Sequence, residues 1–166
     1  VFIVVMIVMG LNQGMQPIAG YNFGAKLYGR VNKVLRLTII YATAVTTFGF
    51  LVGMLVPDLV VGIFTSDAEL TELSVTGLRI TVMFFPIIGF QMVTSNFFQS
   101  IGMAGKAIFL SLTRQMLILL PCLLVLPQFF GVAGVWYSMP VSDLLASLIA
   151  LVMLVCQFRK FRTSPL

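Results

Sequence analysis

Five apolar runs, each close to the ~20 residues that cross the hydrocarbon core of a bilayer, occupy most of this chain. Twelve of its fifteen charges lie outside them, in the connections or the tail. The runs cover about residues 1–23, 37–56, 75–101, 107–126 and 132–158, and residues 159–166 follow as a short basic tail. Each run reads as a membrane helix, so the expected fold class is an all-α membrane protein with five transmembrane helices. The composition agrees. Of 166 residues, 60% are hydrophobic and only 9% charged, against roughly a quarter charged in soluble domains. Fifteen charges cannot cover the surface of a soluble domain of this size. A soluble globular enzyme, a disordered chain and a disulfide scaffold are therefore excluded.

The chain has no His, which removes the commonest general base and transition-metal ligand. Cys122 and Cys156 both sit in apolar stretches without the paired spacing of a zinc site. No metal, no cofactor and no catalytic residue is expected, and a membrane-bound enzyme is the least favoured reading. The chain opens Val-Phe-Ile-Val-Val with no basic n-region and no cleavage site. It reads as a chain entered part-way through a hydrophobic segment, and a fragment is expected.

Charge placement sets an orientation. Lys26, Arg30, Lys33 and Arg36 separate the first two runs, and Asp58, Asp67, Glu69 and Glu72 separate the next two, with Arg79 just inside the third run. Lys106 precedes the fourth run and Arg114 lies two turns into it, while the tail carries Arg159, Lys160 and Arg162. Alternating the sides gathers nine bases and no acid on one face of the membrane, and four acids with one base on the other. Basic loops are cytoplasmic. The expected placement is thus multi-pass in the cell's inner (plasma) membrane, with the C-terminus cytoplasmic. The net charge of +5 is a topology device, and the lipid bilayer rather than nucleic acid is the partner. Ser66-Asp67-Ala68-Glu69 fits a capping box, so the acids there are read as structural.

Polar groups inside the runs are the candidate functional residues. Asp143 is the one acid deep within a run, and a carboxylate there normally faces a bundle interior or an aqueous cavity. It suits coupling to H+ or Na+. Ser138, Ser142 and Ser147 lie near it. Gln91, Ser95 and Gln99 recur every four residues as one stripe, widened by Thr94 and Asn96. Asn12 and Gln16 share a face of the first run. Such amides and hydroxyls either join helices or line a cavity. Pro17, Pro86 and Pro140 are expected to break their helices, as in the discontinuous helices of transporters; Pro121 interrupts the fourth run. Ten Met and fifteen Phe suit a cavity for organic cations, and equally serve as filling for membrane helices.

The stretch Gln16-Pro17-Ile18-Ala19-Gly20-Tyr21-Asn22-Phe23-Gly24-Ala25 resembles a motif near the cytoplasmic end of the eighth helix of MATE (multidrug and toxic compound extrusion) transporters. Pro86 and Gly89, followed by Phe98-Gln99-Ser100-Ile101-Gly102, is similar to the tenth helix of that family. Gly134-Val135-Trp136 and Pro140-Val141-Ser142-Asp143 are similar to its twelfth. The resemblance implies five helices of a six-helix lobe from a twelve-helix transporter, with the N-terminal lobe as partner. It implies multidrug efflux by alternating access, exchanging cationic amphiphilic compounds for H+ or Na+. Asp143 would be the cation-coupling group, and Asn12, Gln16, Gln91, Ser95, Asn96 and Gln99 would line the substrate path. Two alternatives remain at this point. A related flippase for lipid-linked sugars would want basic side chains facing the cavity, whereas Arg79 and Arg114 are read as lying near helix ends and able to snorkel. A non-transporting scaffold subunit would use the polar stripe for assembly alone.

Overall fold

In hydrocarbon, a helix pairs its own backbone groups, so long apolar runs resolve into helices. The computed structural model describes residues 2–65 and 67–163. Its elements are α1 (Phe2–Gly24), α2 (Tyr28–Leu55), the short α3 (Pro57–Gly62), α4 (Ala68–Val82), α5 (Phe85–Ser100) and α6 (Ala104–Leu112). A π-helical stretch, Thr113–Leu119, then leads without a break into α7 (Leu120–Phe130), and α8 (Val132–Thr163) ends the bundle. Helix α5 is the central post: it packs on α1, α2, α6 and α8. Its Val93, Phe97 and Phe98 meet Val8, Met15 and Ala19 of α1, Val31, Leu35 and Ala42 of α2, and Ala150 and Leu154 of α8 in one core. The outside is apolar as well. Phe48 is 68% exposed and Leu124 is 64% exposed, as a surface meeting lipid requires.

The boundaries differ from the sequence expectation in ways that have physical causes. Helix α2 begins at Tyr28 rather than at 37, so Arg30, Lys33 and Arg36 ride on its exposed side while Val31 and Leu35 pack inward. The fourth run extends over Ala104–Phe130, and its link to α8 is Gly131 alone, at φ 59°. The expected third span, 75–101 with Pro86 inside it, is instead two helices, bent by 51° between Leu70–Val82 and Phe85–Ser100. Pro86 lies in the first turn of α5, where its missing N–H would be unpaired anyway. It starts a helix there. Pro17 and Pro140 do not break theirs: α1 and α8 run continuously through them. Each ring removes a single hydrogen bond, and the neighbouring turns carry the helix past it. The Ser66 capping box lies outside the described residues; the N-terminal contact seen is the Asp67 carboxylate accepting from the Leu70 N–H at 3.4 Å.

Close helix contacts are made at glycines. A Cβ at Gly89 would lie 2.8 Å from Thr46 Oγ1 and 2.9 Å from the Ala42 carbonyl oxygen. At Gly134 it would collide with the Leu126 carbonyl oxygen. Small residues let membrane helices approach through their backbones, where dispersion replaces the hydrophobic drive. Gly89→Ala should therefore cost about 1–3 kcal/mol of stability by overpacking the α2–α5 contact. Gly10→Ala, whose Cβ meets nothing within 4 Å, should be neutral or gain up to about 1 kcal/mol. Thermal unfolding of the complete protein in detergent reads both; equal melting points for the two variants would refute the contact's importance.

Candidate functional site

Arg114 sits about 15 Å along the helix axis from Ala104, and Asp143 about 16 Å from Val132. Both are deep within their spans. Arg114 Nε donates to Asp143 Oδ1 at 2.7 Å, with the arginine side chain 31% exposed and the aspartate 8%. A buried ionised group is tolerated when it is paired and hydrogen-bonded. Ser142, the residue before Asp143, donates its hydroxyl to the Arg114 carbonyl oxygen at 2.9 Å. Ser147 donates to the Asp143 carbonyl at 2.6 Å. Arg114 is thus held twice by adjacent residues of α8, once by its side chain and once by its backbone.

The local sequence explains why a carbonyl is on offer. Pro121 has no N–H, so the Leu117 carbonyl loses the partner it would have in an α-turn. The turns just before that proline, Thr113–Leu119, take a wider π winding. Widened turns splay their carbonyls, and the Arg114 oxygen is the one that Ser142 reaches.

The pair forms one wall of a cavity of about 300 Å³, whose other walls include Met9 of α1, Thr81 of α4, Phe85 and Met92 of α5, and Met139 of α8. Gln115 joins Arg114 at its rim. The Nε contact uses one of five guanidinium donors, leaving four on a side chain that lines the cavity. A larger hollow of about 500 Å³ lies between α3, α4 and Trp136, and none of the described residues lining it is charged. The smaller cavity has the chemistry: a paired charge, hydroxyls, an amide, thioethers and an aromatic ring.

The other expected site residues do not gather there. Gln16 Nε2 donates to Asn96 Oδ1 at 3.1 Å, joining α1 to α5, and Asn96 Nδ2 donates to the Met92 carbonyl. Asn12 is 2% exposed, and neither amide atom has a partner among the described residues. Gln91 is buried. Ser95 contacts the Ala107 carbonyl and the Ser111 hydroxyl, so it joins α5 to α6. Gln99 is exposed beside the same α5–α6 seam. The stripe that sequence spacing draws as one surface divides between the α1 side, the interior and the α6 side. Arg114 is the functional candidate that sequence reasoning misses. Sequence alone assigns it to a helix end, whereas counting its depth from Ala104 places it opposite Asp143.

Removing one partner of such a pair leaves an unpaired charge, which costs roughly 3–5 kcal/mol when fully buried and less here, where the arginine is part-exposed. Replacing both by apolar residues of similar size is often neutral. Arg114→Met should therefore destabilise the complete protein clearly, and Arg114→Met with Asp143→Leu should recover most of the loss. Additive losses in a thermal double-mutant cycle would show that the two charges are not coupled.

Comparison with known proteins agrees with this architecture. The MatE family model matches residues 1–125. The multidrug export protein MepA of Staphylococcus aureus (strain MSSA476) is 26% identical over 146 residues, covering 88% of this chain. This chain spans 32% of the length of that relative. The solved structure of the MATE multidrug transporter DinF-BH is 37% identical, with a TM-score of 0.89 over 97% of this chain and 36% of its own. An inward-facing multidrug resistance MATE family transporter of the MOP superfamily, 19% identical, shares the fold at a TM-score of 0.90 over 99% of this chain and 39% of its own. With 125 of its 166 residues matched by the family model, the chain belongs to the MatE family.

Proposed function

We propose that the protein carrying this chain exports cationic amphiphilic compounds in exchange for H+ or Na+ by alternating access, and that these helices are part of its C-terminal lobe. The observation that carries the reading is the Arg114–Asp143 pair on the wall of a cavity lined also by Met9, Met92, Met139 and Phe85. The names of its relatives, a multidrug export protein and a multidrug transporter, support the same activity. An N-terminal lobe of the same transporter would face the cavity-bearing side. The tail after Gln157 would be cytoplasmic in the plasma membrane, because the bases gather at that end.

Asp143 is the coupling group in this reading, with Arg114 as its resident counter-charge. A coupling cation that binds the carboxylate must displace the guanidinium, so occupancy by the ion and closure of the pair exclude one another. A ligand shifts a two-state equilibrium only by its differential affinity for the two states. The cation therefore favours the state in which the pair is open, and an organic cation entering the cavity competes for the same carboxylate. Met9, Met92 and Phe85 offer adaptable, polarisable walls for it. Asn12, Gln16, Gln91, Ser95, Asn96 and Gln99 are proposed as polar groups along the substrate path, of which Gln16 and Asn96 act as a linked pair.

The lipid-linked sugar flippase would use Arg114 to hold a pyrophosphate. Arg114 does line the cavity, but its charge is matched by Asp143 at 2.7 Å, so an anion gains no net attraction there. The antiporter is the better reading.

Asp143→Asn in the complete transporter should slow gradient-driven efflux of a fluorescent organic cation by about tenfold, the effect of losing roughly 1.4 kcal/mol of differential binding. Collapsing the proton and Na+ gradients separately identifies the coupling ion. Efflux by Asp143→Asn at the wild-type rate, with equal expression, would remove Asp143 from coupling. Efflux insensitive to both gradients would overturn the antiport reading altogether.

A further inference from the structure

A second polar group lies between helices at the opposite end of α8 from Trp136. Lys106, in the first turn of α6, donates through Nζ to Gln157 Oε1 of α8 and lies 5.3 Å from the centre of the Phe98 ring of α5. Gln157 is 3% exposed and Phe98 is fully buried, so the ammonium is drawn into the seam between three helices. Neither contact neutralises it. An amide oxygen and an aromatic face supply a dipole and a quadrupole, not an anion. The acids of this chain are Asp58, Asp67, Glu69, Glu72 and Asp143, and Asp143 is about 21 Å away along α8. No carboxylate lies within ion-pair distance of Lys106 among the described residues.

A part-buried ammonium without a counter-ion is costly next to hydrocarbon. It has three N–H donors, and Gln157 takes one. Beside it is a crevice of about 240 Å³, lined by Lys106, Gln157, Val152, Met153 and Cys156. Val152 is 62% exposed and Cys156 is exposed, so the crevice opens sideways from the span along an apolar helix face. Its floor is cationic and its mouth is apolar. The sequence adds Arg159, Lys160 and Arg162 just beyond Gln157, which makes this end of the bundle strongly positive.

We propose that this crevice binds an anionic phospholipid: the headgroup phosphate pairs with Lys106, the Gln157 amide lies alongside, and an acyl chain runs down Val152 and Met153. Charge complementarity selects an anion, and basic pockets between spans at the positive end of membrane proteins hold such headgroups. The apolar mouth selects a lipid over a free phosphate. A zwitterionic lipid presents its own ammonium to a positive surface and gains less. The lipid supplies the counter-charge that the described residues do not, and it ties α6 to α8 at their basic ends, opposite in the bilayer to the uncharged Gly131 turn.

The test is native mass spectrometry of the complete transporter, purified in detergent and titrated with dioleoyl phosphatidylglycerol or dioleoyl phosphatidylcholine. Phosphatidylglycerol should be retained about fivefold more strongly, the worth of one basic residue at a membrane surface. Lys106→Gln should abolish the preference and Lys106→Arg should keep it. Equal retention of the two lipids by the wild type overturns the site. So does a preference unchanged in Lys106→Gln, or displacement of phosphatidylglycerol by excess inorganic phosphate, which would mark a soluble-anion site. If Lys106→Gln does not fold, Val152→Trp fills the crevice while keeping the charge; it should lower phosphatidylglycerol retention, and unchanged retention refutes the proposal.

Discussion

A full charge deep in a span has to be answered by another charge, and in this chain that requirement fixes where two helices meet. Arg114 and Asp143 come from different spans, and their contact at 2.7 Å sets the register of α6–α7 against α8. The hydroxyl of Ser142 then fastens the backbone at the same level. Apolar side chains alone would leave that register loosely defined, because one lipid-like surface slides over another at little cost. Helix α7 has no fully buried residue; it packs along α8, with this polar clasp near one end of that contact and the Gly134 approach near the other.

The core obeys a different logic from the clasp. Helix α5 is surrounded on four sides, and Gln91 and Thr94 among its polar residues are buried inside the bundle. Thr94 satisfies its hydroxyl on the Phe90 carbonyl, and Thr46 does the same on Ala42. Such side chains remain neutral and cost little, so they need no register-defining partner. Asn96 differs, because it reaches across to Gln16. The 51° bend between α4 and α5 keeps α5 central while α4 leans toward Trp136, where a Cβ added at Gly77 would lie 3.0 Å from the indole ring.

Much of this was readable in the residues. Five apolar runs became four long helices and one bent pair, because run length against bilayer thickness is a strong constraint that tertiary packing cannot override. The prolines were harder. Whether a proline breaks a helix depends on neighbours that re-pair its freed carbonyl, so Pro17 and Pro140 sit inside intact helices, and Pro86 begins one. Spacing along α5 placed Gln91, Ser95 and Gln99 on one side, yet which neighbour each faces is decided by how α1 and α6 dock. Asp143 stood out as a buried acid, but its partner lies 29 residues earlier in the chain. Pairing of charges across helices follows from depth in the membrane, and a reading that assumes snorkelling misses it.

The π-helical stretch has a consequence for how such a chain can change over generations. A π turn absorbs one residue more than an α turn while leaving the helices on either side facing as before. Length can therefore vary within Thr113–Leu119 without re-aiming α7. A shortened version would wind as an ordinary α-helix, with α6 and α7 still in line. It would draw the Arg114 carbonyl back into the regular ladder and away from the Ser142 hydroxyl. The extra residue in the winding is what makes room for a handle on the backbone, so a heritable change in length at this point acts on the grip between two helices and not on their direction.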